Sequence, residues 1–218
     1  MEVTVLMIDD HPPIIEGYKS ILAFNPYGYS INTTSAFSCE AAHKIITTTT
    51  TTFDVVFLDI TLPPYEEKNI YSGEDLVALV RKHLPNTKIV ILTSHSESLV
   101  LHGIIKDHYP DGLIVKSDVL SNDFLTAFDT IIKGEFFYSA TVKALKFDSV
   151  ISTKLIDTYN RQIIILLSKG MKTKTIQEEL HLSKSAIDKR KVVIKDYLGI
   201  EKGNDEDILR EARKHGLI

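Results

Sequence analysis

Three aspartates, a threonine and a lysine each follow a short apolar segment of the sequence and could act together on a phosphoryl group. These residues are Asp9, Asp10, Asp59, Thr93 and Lys116. Three carboxylates held together repel one another unless a cation lies between them, and oxygen ligands are those that Mg²⁺ prefers. A hydroxyl and an ammonium suit phosphoryl oxygens, and an aspartate can itself be the nucleophile that accepts a phosphoryl group. The residue types therefore predict Mg²⁺-assisted phosphorylation of an aspartate.

These five residues can meet only if the segments before them are strands of one parallel sheet. Short apolar segments lie at Val3–Ile8, around Ile31, and at Val55–Leu58, Ile89–Leu92 and Leu113–Val115. Helix-like segments alternate with them at Pro12–Phe24, Ser38–Ile46, Ser72–Leu84, Glu97–His108 and Ser121–Lys133. Largely aliphatic strands are typical of a sheet covered on both faces, whose functional edge is formed by the carboxyl ends of the strands. The alternation predicts a doubly wound, five-stranded parallel α/β sheet.

Two classes of enzyme are disfavoured by the residues that follow the strands. A nucleotide-binding α/β domain has a glycine-rich turn after its first strand, whereas this turn reads Asp9-Asp10-His11-Pro12. A phosphatase of the haloacid-dehalogenase type has a second aspartate two residues after its nucleophile, where this chain has Thr61. We therefore expect a phosphoryl acceptor that is not an enzyme.

The charge of the chain is unevenly distributed, which suggests two modules with different partners. Residues 1–150 hold 11 basic and 19 acidic side chains, whereas residues 151–218 hold 14 basic and 10 acidic ones. The acidic module could hold a cation and the basic module could bind a polyanion. A small positive excess also fits an ordinary solvated surface, so charge alone does not decide between these possibilities.

From Tyr159 onward the sequence has the pattern of short helices joined by tight turns. An apolar stripe ends at Gly170, Thr173 is suited to cap the next helix, and Ser183 begins a third helix that reaches Leu198. Two short helices joined by a tight turn are typical of the helix-turn-helix motif that binds DNA. The residues predicted to contact DNA are Lys184, Ser185, Asp188, Lys189, Arg190, Lys191, Val192 and Lys195.

Periodicity places most of these eight residues on one face of the third helix. Lys191 lies at the edge of that face, and Arg190 lies nearer the inner side, where packing or backbone contact is expected. A lysine-rich face suits a groove lined by phosphates. The ordinary alternative is a helix face that is merely solvated.

Four segments in order resemble the receiver domain of two-component response regulators. They are Ile8-Asp9-Asp10-His11-Pro12, Phe57–Pro63, Ile91–Ser94 and Gly112–Lys116. The resemblance covers about residues 1–135 and implies a flavodoxin-like receiver fold. Each segment alone is a weak signal, but four in order at strand ends form a specific one.

The resemblance to receiver domains implies a role for each of the candidate residues. Asp59 would accept the phosphoryl group from a sensor histidine kinase. Thr93 and Lys116 would bind the phosphoryl oxygens and relay the change. The ligands implied for Mg²⁺ are Asp10, Asp59, the backbone carbonyl of Thr61 and, through water, Asp9.

The C-terminal segments look like the LuxR-type (NarL/FixJ-like) output domain. The similar segments are Arg161–Gly170, Thr175–Ser183, Ala186-Ile187 and Ile194–Ile200. The resemblance implies double-stranded DNA as a partner, control of transcription by phosphorylation, and a homodimer of the phosphorylated form. The predicted domains are a receiver at 1–135, a linker at 136–154 with a short helix near Val142–Leu145, and a helix-turn-helix domain at 155–218.

Departures from the family patterns leave a second function open. Asp188 replaces a lysine that normally faces DNA, and Gln177 replaces a small alanine. The alternative is a phospho-relay or protein-interaction switch whose degenerate output domain no longer binds DNA. In the receiver, Leu113 stands where the family has an aromatic residue, and the loop 64–72 is longer than usual.

The remaining features of the sequence predict a cytoplasmic protein without a membrane partner. The N-terminus lacks the basic region of a signal peptide, and the longest aliphatic run, Ile163–Leu167, is too short to cross a bilayer. A single cysteine, Cys39, excludes an intrachain disulfide framework.

Overall fold

The computed structural model describes residues 1–145 and 158–218, and its fold is built on a parallel sheet. The strands are β1 (Glu2–Ile8), β2 (Ser30–Ala36), β3 (Val55–Asp59), β4 (Lys88–Thr93), β5 (Gly112–Val115) and β6 (Phe137–Tyr138). Their order in the sheet is β2-β1-β3-β4-β5-β6, and every pairing is parallel. The predicted doubly wound α/β fold is thus confirmed.

Strand register brings the ends of the central strands to one edge of the sheet. Ile8 pairs with Leu58, Asp59 pairs with Leu92, and Thr93 pairs with Val115. All residues of β3 are buried, because helices cover both faces of the sheet. The side chains that follow these pairs are consequently neighbours across the carboxyl edge.

Helices connect the strands, and several begin where the sequence supplies a cap. They are α1 (Pro12–Ala23), α2 (Cys39–Thr48), α3 (Gly73–His83), α4 (Ser98–His108), α5 (Ser121–Ile132) and α6 (Ala140–Lys143). Prolines at the start of α1 have no amide hydrogen to leave unbonded. The Ser38 hydroxyl accepts a hydrogen bond from the Ala41 amide at 3.2 Å, which fixes the start of α2.

An aromatic cluster fills the core between the sheet and α5. Phe57 of β3 lies with its ring centroid 5.1 Å from that of Phe124 and 6.3 Å from that of Phe128. Tyr18 of α1 stacks on Phe124 at 4.3 Å. Burial of each such ring contributes roughly 1.5–3 kcal/mol, so this cluster anchors β3 and with it the position of Asp59.

The sixth strand corrects the prediction of a five-stranded sheet. Phe137 pairs with Gly112 and Tyr138 pairs with Leu113, within a segment predicted to be a linker. Two residues are too short a run to show the alternation by which a strand is predicted. The predicted short helix in this segment is α6, two residues earlier than expected, and the predicted linker residues 146–154 lie outside the described residues.

The long loop 64–72 is ordered by local backbone contacts. Tyr65 and Ile70 form an antiparallel bridge around a short 3-10 turn at Glu66–Lys68. Ile70 is buried, and the Tyr65 ring meets His43 of α2 edge to face at 5.6 Å. The insertion is therefore packed onto the unit that carries the sheet.

Four helices lie within residues 158–218 of the chain. They are α7 (Thr158–Ser168), α8 (Thr173–Leu180), α9 (Lys184–Tyr197) and α10 (Asp205–Lys214). Their core is a set of fully buried residues: Ile163, Ile164, Ile176, Ile187, Ile194, Ile208 and Ala212. Ser183 caps α9 by accepting a hydrogen bond from the Ala186 amide at 3.2 Å. The predicted start of the helical domain at 155–157 lies outside the described residues.

The chain divides into two units by its internal contacts. The first comprises Met1–Ser96 and Ile104–Ala144, and the second comprises Glu97–Gly103 with the described residues of Leu145–Ile218. Among the described residues, every helix is too short or too polar to span a bilayer.

Gly73, the first residue of α3, should tolerate no side chain. A Cβ atom at this position would lie 1.9 Å from the backbone oxygen of Asp59, so Gly73→Ala must displace the end of β3. We expect Gly73→Ala to lower the free energy of unfolding by about 2–3 kcal/mol, as measured by urea denaturation. Gly17→Ala is the control, because Gly17 is exposed within α1 and its Cβ would meet no atom within 4 Å. The control should be neutral or stabilising by about 0.5–1 kcal/mol, and equal losses would contradict the prediction.

Candidate functional site

Three aspartates and a histidine lie together at the carboxyl edge of the sheet and form what we call the acidic cluster. Asp9, Asp10 and His11 follow β1, and Asp59 ends β3. One potential ligand atom from each of the four lies within 4.8 Å of the others. Asp9 and Asp59 are buried, whereas Asp10 is partly exposed and His11 is open to solvent. The cluster is thus reached from solvent on the side of Asp10 and His11.

Lys116, the residue after β5, bridges the two buried carboxylates. Its Nζ donates hydrogen bonds to Asp9 Oδ2 at 2.8 Å and to Asp59 Oδ2 at 2.7 Å. The other oxygen of Asp59, Oδ1, accepts a hydrogen bond from the Thr61 amide at 3.2 Å. One ammonium therefore balances part of the charge of two carboxylates that are nearly removed from water.

The pKa values of this ion pair follow from burial and from the hydrogen bonds. Burial raises the pKa of the Asp59 carboxyl, and the hydrogen bonds from Lys116 and Thr61 act in the opposite direction without reversing the shift. For Lys116, burial favours the neutral amine, but hydrogen bonds to Asp59 and Asp9 outweigh it and raise the pKa of the ammonium. The Asp59 carboxylate is consequently more basic than a solvated one, and it lies next to a cation that stays charged.

The cluster fits the binding of a divalent cation. Asp10 Oδ1 is enclosed and accepts no hydrogen bond among the described residues, although His11 Nδ1 lies 2.8 Å away. An enclosed carboxylate oxygen that accepts no well-formed hydrogen bond is costly unless a cation approaches it. The atoms with which the three aspartates could bind a metal ion are all oxygens, and oxygen ligands suit a hard cation.

Thr93 lies at the end of β4, between the strands that carry Asp59 and Lys116. Its side chain is fully buried, and its Oγ1 accepts a hydrogen bond from the His95 amide at 3.0 Å. Because Asp59 pairs with Leu92 and Val115 pairs with Thr93, the hydroxyl stands at the same edge of the sheet. The structure therefore brings together Asp9, Asp10, Asp59, Thr61, Thr93 and Lys116.

Sequence reasoning missed two residues at this edge. His11 lies 3.2 Å from Asp9 Oδ1 through its Nδ1, and its backbone amide donates to the same oxygen at 2.9 Å. Asp118, two residues after Lys116, accepts hydrogen bonds from the Ser139 hydroxyl and from the amide and hydroxyl of Thr141, all at 2.6–2.7 Å. A histidine after two aspartates was a usable signal, whereas the Asp118 contacts span more than twenty positions and left none.

In the second unit, α9 presents fewer basic residues than the sequence suggests. Its exposed side chains include Lys184, Ser185, Asp188, Lys189 and Val192, as expected from the periodicity. The ammonium of Lys191 donates to Thr173 Oγ1 at 2.8 Å and to Asp205 Oδ2 at 2.6 Å, and its side chain is 11% exposed.

Two further basic residues of α9 also have partners within the unit. Arg190 donates to Asn160 Oδ1 at 3.0 Å and lies 4.8 Å from the ring centroid of Tyr159. Lys195 Nζ donates to the Gly203 carbonyl at 3.2 Å. These contacts hold α9 against α7 and the segment before α10.

Loss of the Lys116 ammonium should destabilise the fold, because it leaves two buried carboxylates without a cation. We expect Lys116→Met to lower the free energy of unfolding by about 3 kcal/mol, measured by urea denaturation with a chelator present. Lys19→Met is the control, because Lys19 pairs with the exposed Glu16 on the surface of α1. The control should change stability by less than about 0.5 kcal/mol. An equal loss in the two variants would show that the Lys116 bridge is no more than a surface ion pair.

Comparison with known proteins agrees with this geometry. Residues 5–117 match the response regulator receiver domain family. The chain is 26% identical to the transcriptional regulatory protein MctR of Rhizobium johnstonii, covering all of this chain and 96% of that protein. It is 25% identical to the oxygen regulatory protein NreC of Staphylococcus aureus, covering 98% of each chain.

Solved structures show the same fold over nearly the full length. A structure of RcsB from Salmonella enterica serovar Typhimurium, bound to a promoter with a phosphomimetic present, has a TM-score of 0.62 and 20% identity and covers 96% of this chain and 97% of its own. An RcsB–DNA complex has a TM-score of 0.63 and 21% identity and covers 98% of each chain. The match of the receiver domain to more than half of the chain, with its acidic cluster and lysine at one edge of the sheet, makes this chain a member of the response regulator receiver domain family.

Proposed function

We propose that the chain is a two-component transcription regulator that a sensor histidine kinase phosphorylates on Asp59. The observation that carries this proposal is the buried Asp59 carboxylate held by Lys116 beside an acidic cluster that opens to solvent. Phosphorylation would control binding of the helical unit to double-stranded DNA, with a homodimer as the phosphorylated form. The relatives support this proposal, since RcsB is a response regulator seen as dimers bound to DNA.

Asp59, Lys116 and Thr93 have different roles in the transfer of the phosphoryl group. An Asp59 oxygen attacks the phosphorus of a phosphohistidine, so that a P–O bond forms while the P–N bond breaks and its electron pair stays on the imidazole. The Lys116 ammonium, which now bonds the carboxylates, is placed to move to a phosphoryl oxygen. The Thr93 hydroxyl is placed to donate to another oxygen, which stabilises the charge that the group carries.

A bound Mg²⁺ would supply the positive charge that neutralises the phosphoryl oxygens near three carboxylates. Asp10, Asp59 and the carbonyl of Thr61 are the residues proposed to hold the ion, with Asp9 assisting through water. The enclosed Asp10 oxygen that accepts no hydrogen bond supports this assignment.

We propose that phosphorylation and DNA binding belong to two different domains of the chain. The phospho-acceptor domain would comprise residues 1–135, the linker residues 136–154 and the DNA-binding domain residues 155–218. Of the linker so defined, β6 and α6 belong to the unit that carries the sheet. Thr61 stands where an aspartyl phosphatase has its acid, which supports an acceptor without enzymatic turnover. The cytoplasm is the proposed location.

A second candidate function, a protein-interaction switch that no longer binds DNA, is favoured by one observation. Asp188 lies exposed on the face of α9 that would meet DNA, where its carboxylate would be repelled by phosphates. The two candidates share the phosphorylation step and differ in the partner of the second unit.

Phosphorylation can be tested with a small phosphodonor. With Mg²⁺ and acetyl phosphate, the intact mass should rise by one phosphoryl group in the wild-type chain and not in Asp59→Asn, because the nucleophilic oxygen is lost. Asp9→Asn should be labelled more slowly, and a chelator should suppress labelling. Asp54→Asn is the control, because Asp54 lies just before the amino end of β3, away from the cluster, and it should be labelled normally. Equal labelling of Asp59→Asn would place the acceptor elsewhere.

DNA binding can be tested through its dependence on salt. The full chain, treated with phosphodonor, should bind duplex DNA with an affinity that falls as salt rises, because Lys184 and Lys189 displace counterions from phosphates. Replacing both lysines by glutamine should make the negative slope of log K against log salt shallower by about 1–2. Lys214→Gln is the control, because Lys214 pairs with Glu211 on α10. Absence of binding at low salt would favour the protein-interaction switch.

A further inference from the structure

The exposed face of α9 carries one carboxylate among cations and no partner for it. Asp188 is exposed, and its carboxylate forms no hydrogen bond or ion pair with any residue that the structure describes. Lys184, one turn earlier on the same face, does not pair with it. An acidic side chain that stabilises nothing within its own unit is available to an external partner.

The basic residues of α9 that remain available are few. Lys191 is engaged by Thr173 and Asp205, Arg190 by Asn160, and Lys195 by the Gly203 carbonyl. Lys184 and Lys189 are the remaining exposed cations of the helix. Asp188 and Val192 are exposed on the same face as these two lysines and are therefore the side chains that can approach the edges of bases.

Val192 is the second unusual residue of this face. Its side chain is 61% exposed and lies one helical turn after Asp188. Four residues of α-helix rise about 6 Å, which is close to two base-pair steps of 3.4 Å each. Asp188 and Val192 can thus contact two base pairs of one half-site.

The chemistry of the two side chains selects the bases. Phosphates repel Asp188 at every sequence, so contact is favourable only where the major groove presents a hydrogen-bond donor. The amino groups of cytosine and adenine are such donors, but in adenine the acceptor N7 lies beside the amino group and repels a carboxylate. The methyl groups of Val192 match the methyl group of thymine.

We propose that Asp188 and Val192 determine sequence specificity, Asp188 by accepting a hydrogen bond from the amino group of cytosine and Val192 by packing on a thymine methyl about two base pairs away. The inference rests on the proposed binding of duplex DNA. Asp188 then weakens non-specific binding at all sequences and recovers affinity only at its cytosine. Asp188, which also favours the alternative of a protein that no longer binds DNA, would then make DNA binding more selective for sequence.

Selection from a pool of randomised duplexes tests the proposal with the full chain treated with phosphodonor. Wild-type protein should enrich half-sites that contain a cytosine and a thymine about two positions apart. Asp188→Ala should lose the cytosine preference, bind the selected duplex about tenfold more weakly and bind scrambled duplexes more tightly. Asp188→Asn should change the preference from cytosine to adenine, because an asparagine pairs with the N6 and N7 of adenine.

Replacing the preferred thymine by deoxyuridine isolates the methyl contact. The substitution should weaken wild-type binding about fivefold and leave binding by Val192→Ser unchanged. Asp196→Ala is the charge control, because Asp196 is exposed two turns further along α9. It should leave the selected sequence unchanged.

The outcomes separate this proposal from the proposed function. Duplex binding at low salt with an unchanged selected sequence in Asp188→Ala would overturn the specificity proposal and leave DNA binding intact. Absence of all duplex binding at low salt would overturn the specificity proposal together with the proposed DNA binding, and would leave phosphorylation of Asp59 to its own test.

Discussion

The bridge from Lys116 to two buried carboxylates is the interaction on which the receiver edge depends. Asp9 and Asp59 come from different strands, and each would be costly to bury alone as an anion. A single ammonium 2.7–2.8 Å from both makes their burial possible and fixes the distance between β1, β3 and the turn after β5. The same bridge leaves the charge of the Asp59 carboxylate partly compensated by the Lys116 ammonium.

The turn after β5 is held from its other side by Asp118. This carboxylate bonds Ser139 and Thr141, and the Ser139 hydroxyl in turn accepts a hydrogen bond from the Val115 amide at 3.1 Å. Several hydrogen bonds lower the pKa of Asp118 although burial acts in the opposite direction. The turn that carries Lys116 is therefore tied both to the acidic cluster and to the residues that follow β6, at the C-terminal exit of the sheet.

The sequence predicted the receiver edge well because each of its residues directly follows a buried strand. The position of a residue after a strand needs only local pattern, and parallel strands bring such positions together regardless of loop length. The features that escaped prediction depend on distant or very short segments. The two-residue strand β6 has too few residues to show a period, and the contacts of Asp118 join residues far apart in the chain.

The start of α10 could have been predicted from a capping pattern, in which Asp207 follows Asn204 by three residues. Asn204 accepts hydrogen bonds from the amides of Glu206 and Asp207, and Asp207 Oδ2 accepts one from the Asn204 amide at 2.9 Å. The sequence Asn204-Asp205-Glu206-Asp207 is thus a helix start with carboxylates at the positive end of the helix dipole.

Charge read from the sequence overstates the charge that α9 can offer to DNA, because folding pairs some of its cations internally. Lys191 belongs to the lysine-rich stripe by spacing, yet Asp205 at the start of α10 holds its ammonium at 2.6 Å. Asp188, which spacing alone makes an obstacle to DNA, is left exposed, and its carboxylate forms no ion pair with any residue that the structure describes. A helix that pairs a lysine internally and presents a carboxylate offers less non-specific attraction to phosphates than its sequence suggests. The helix face is therefore better described by its unpaired groups than by its net charge.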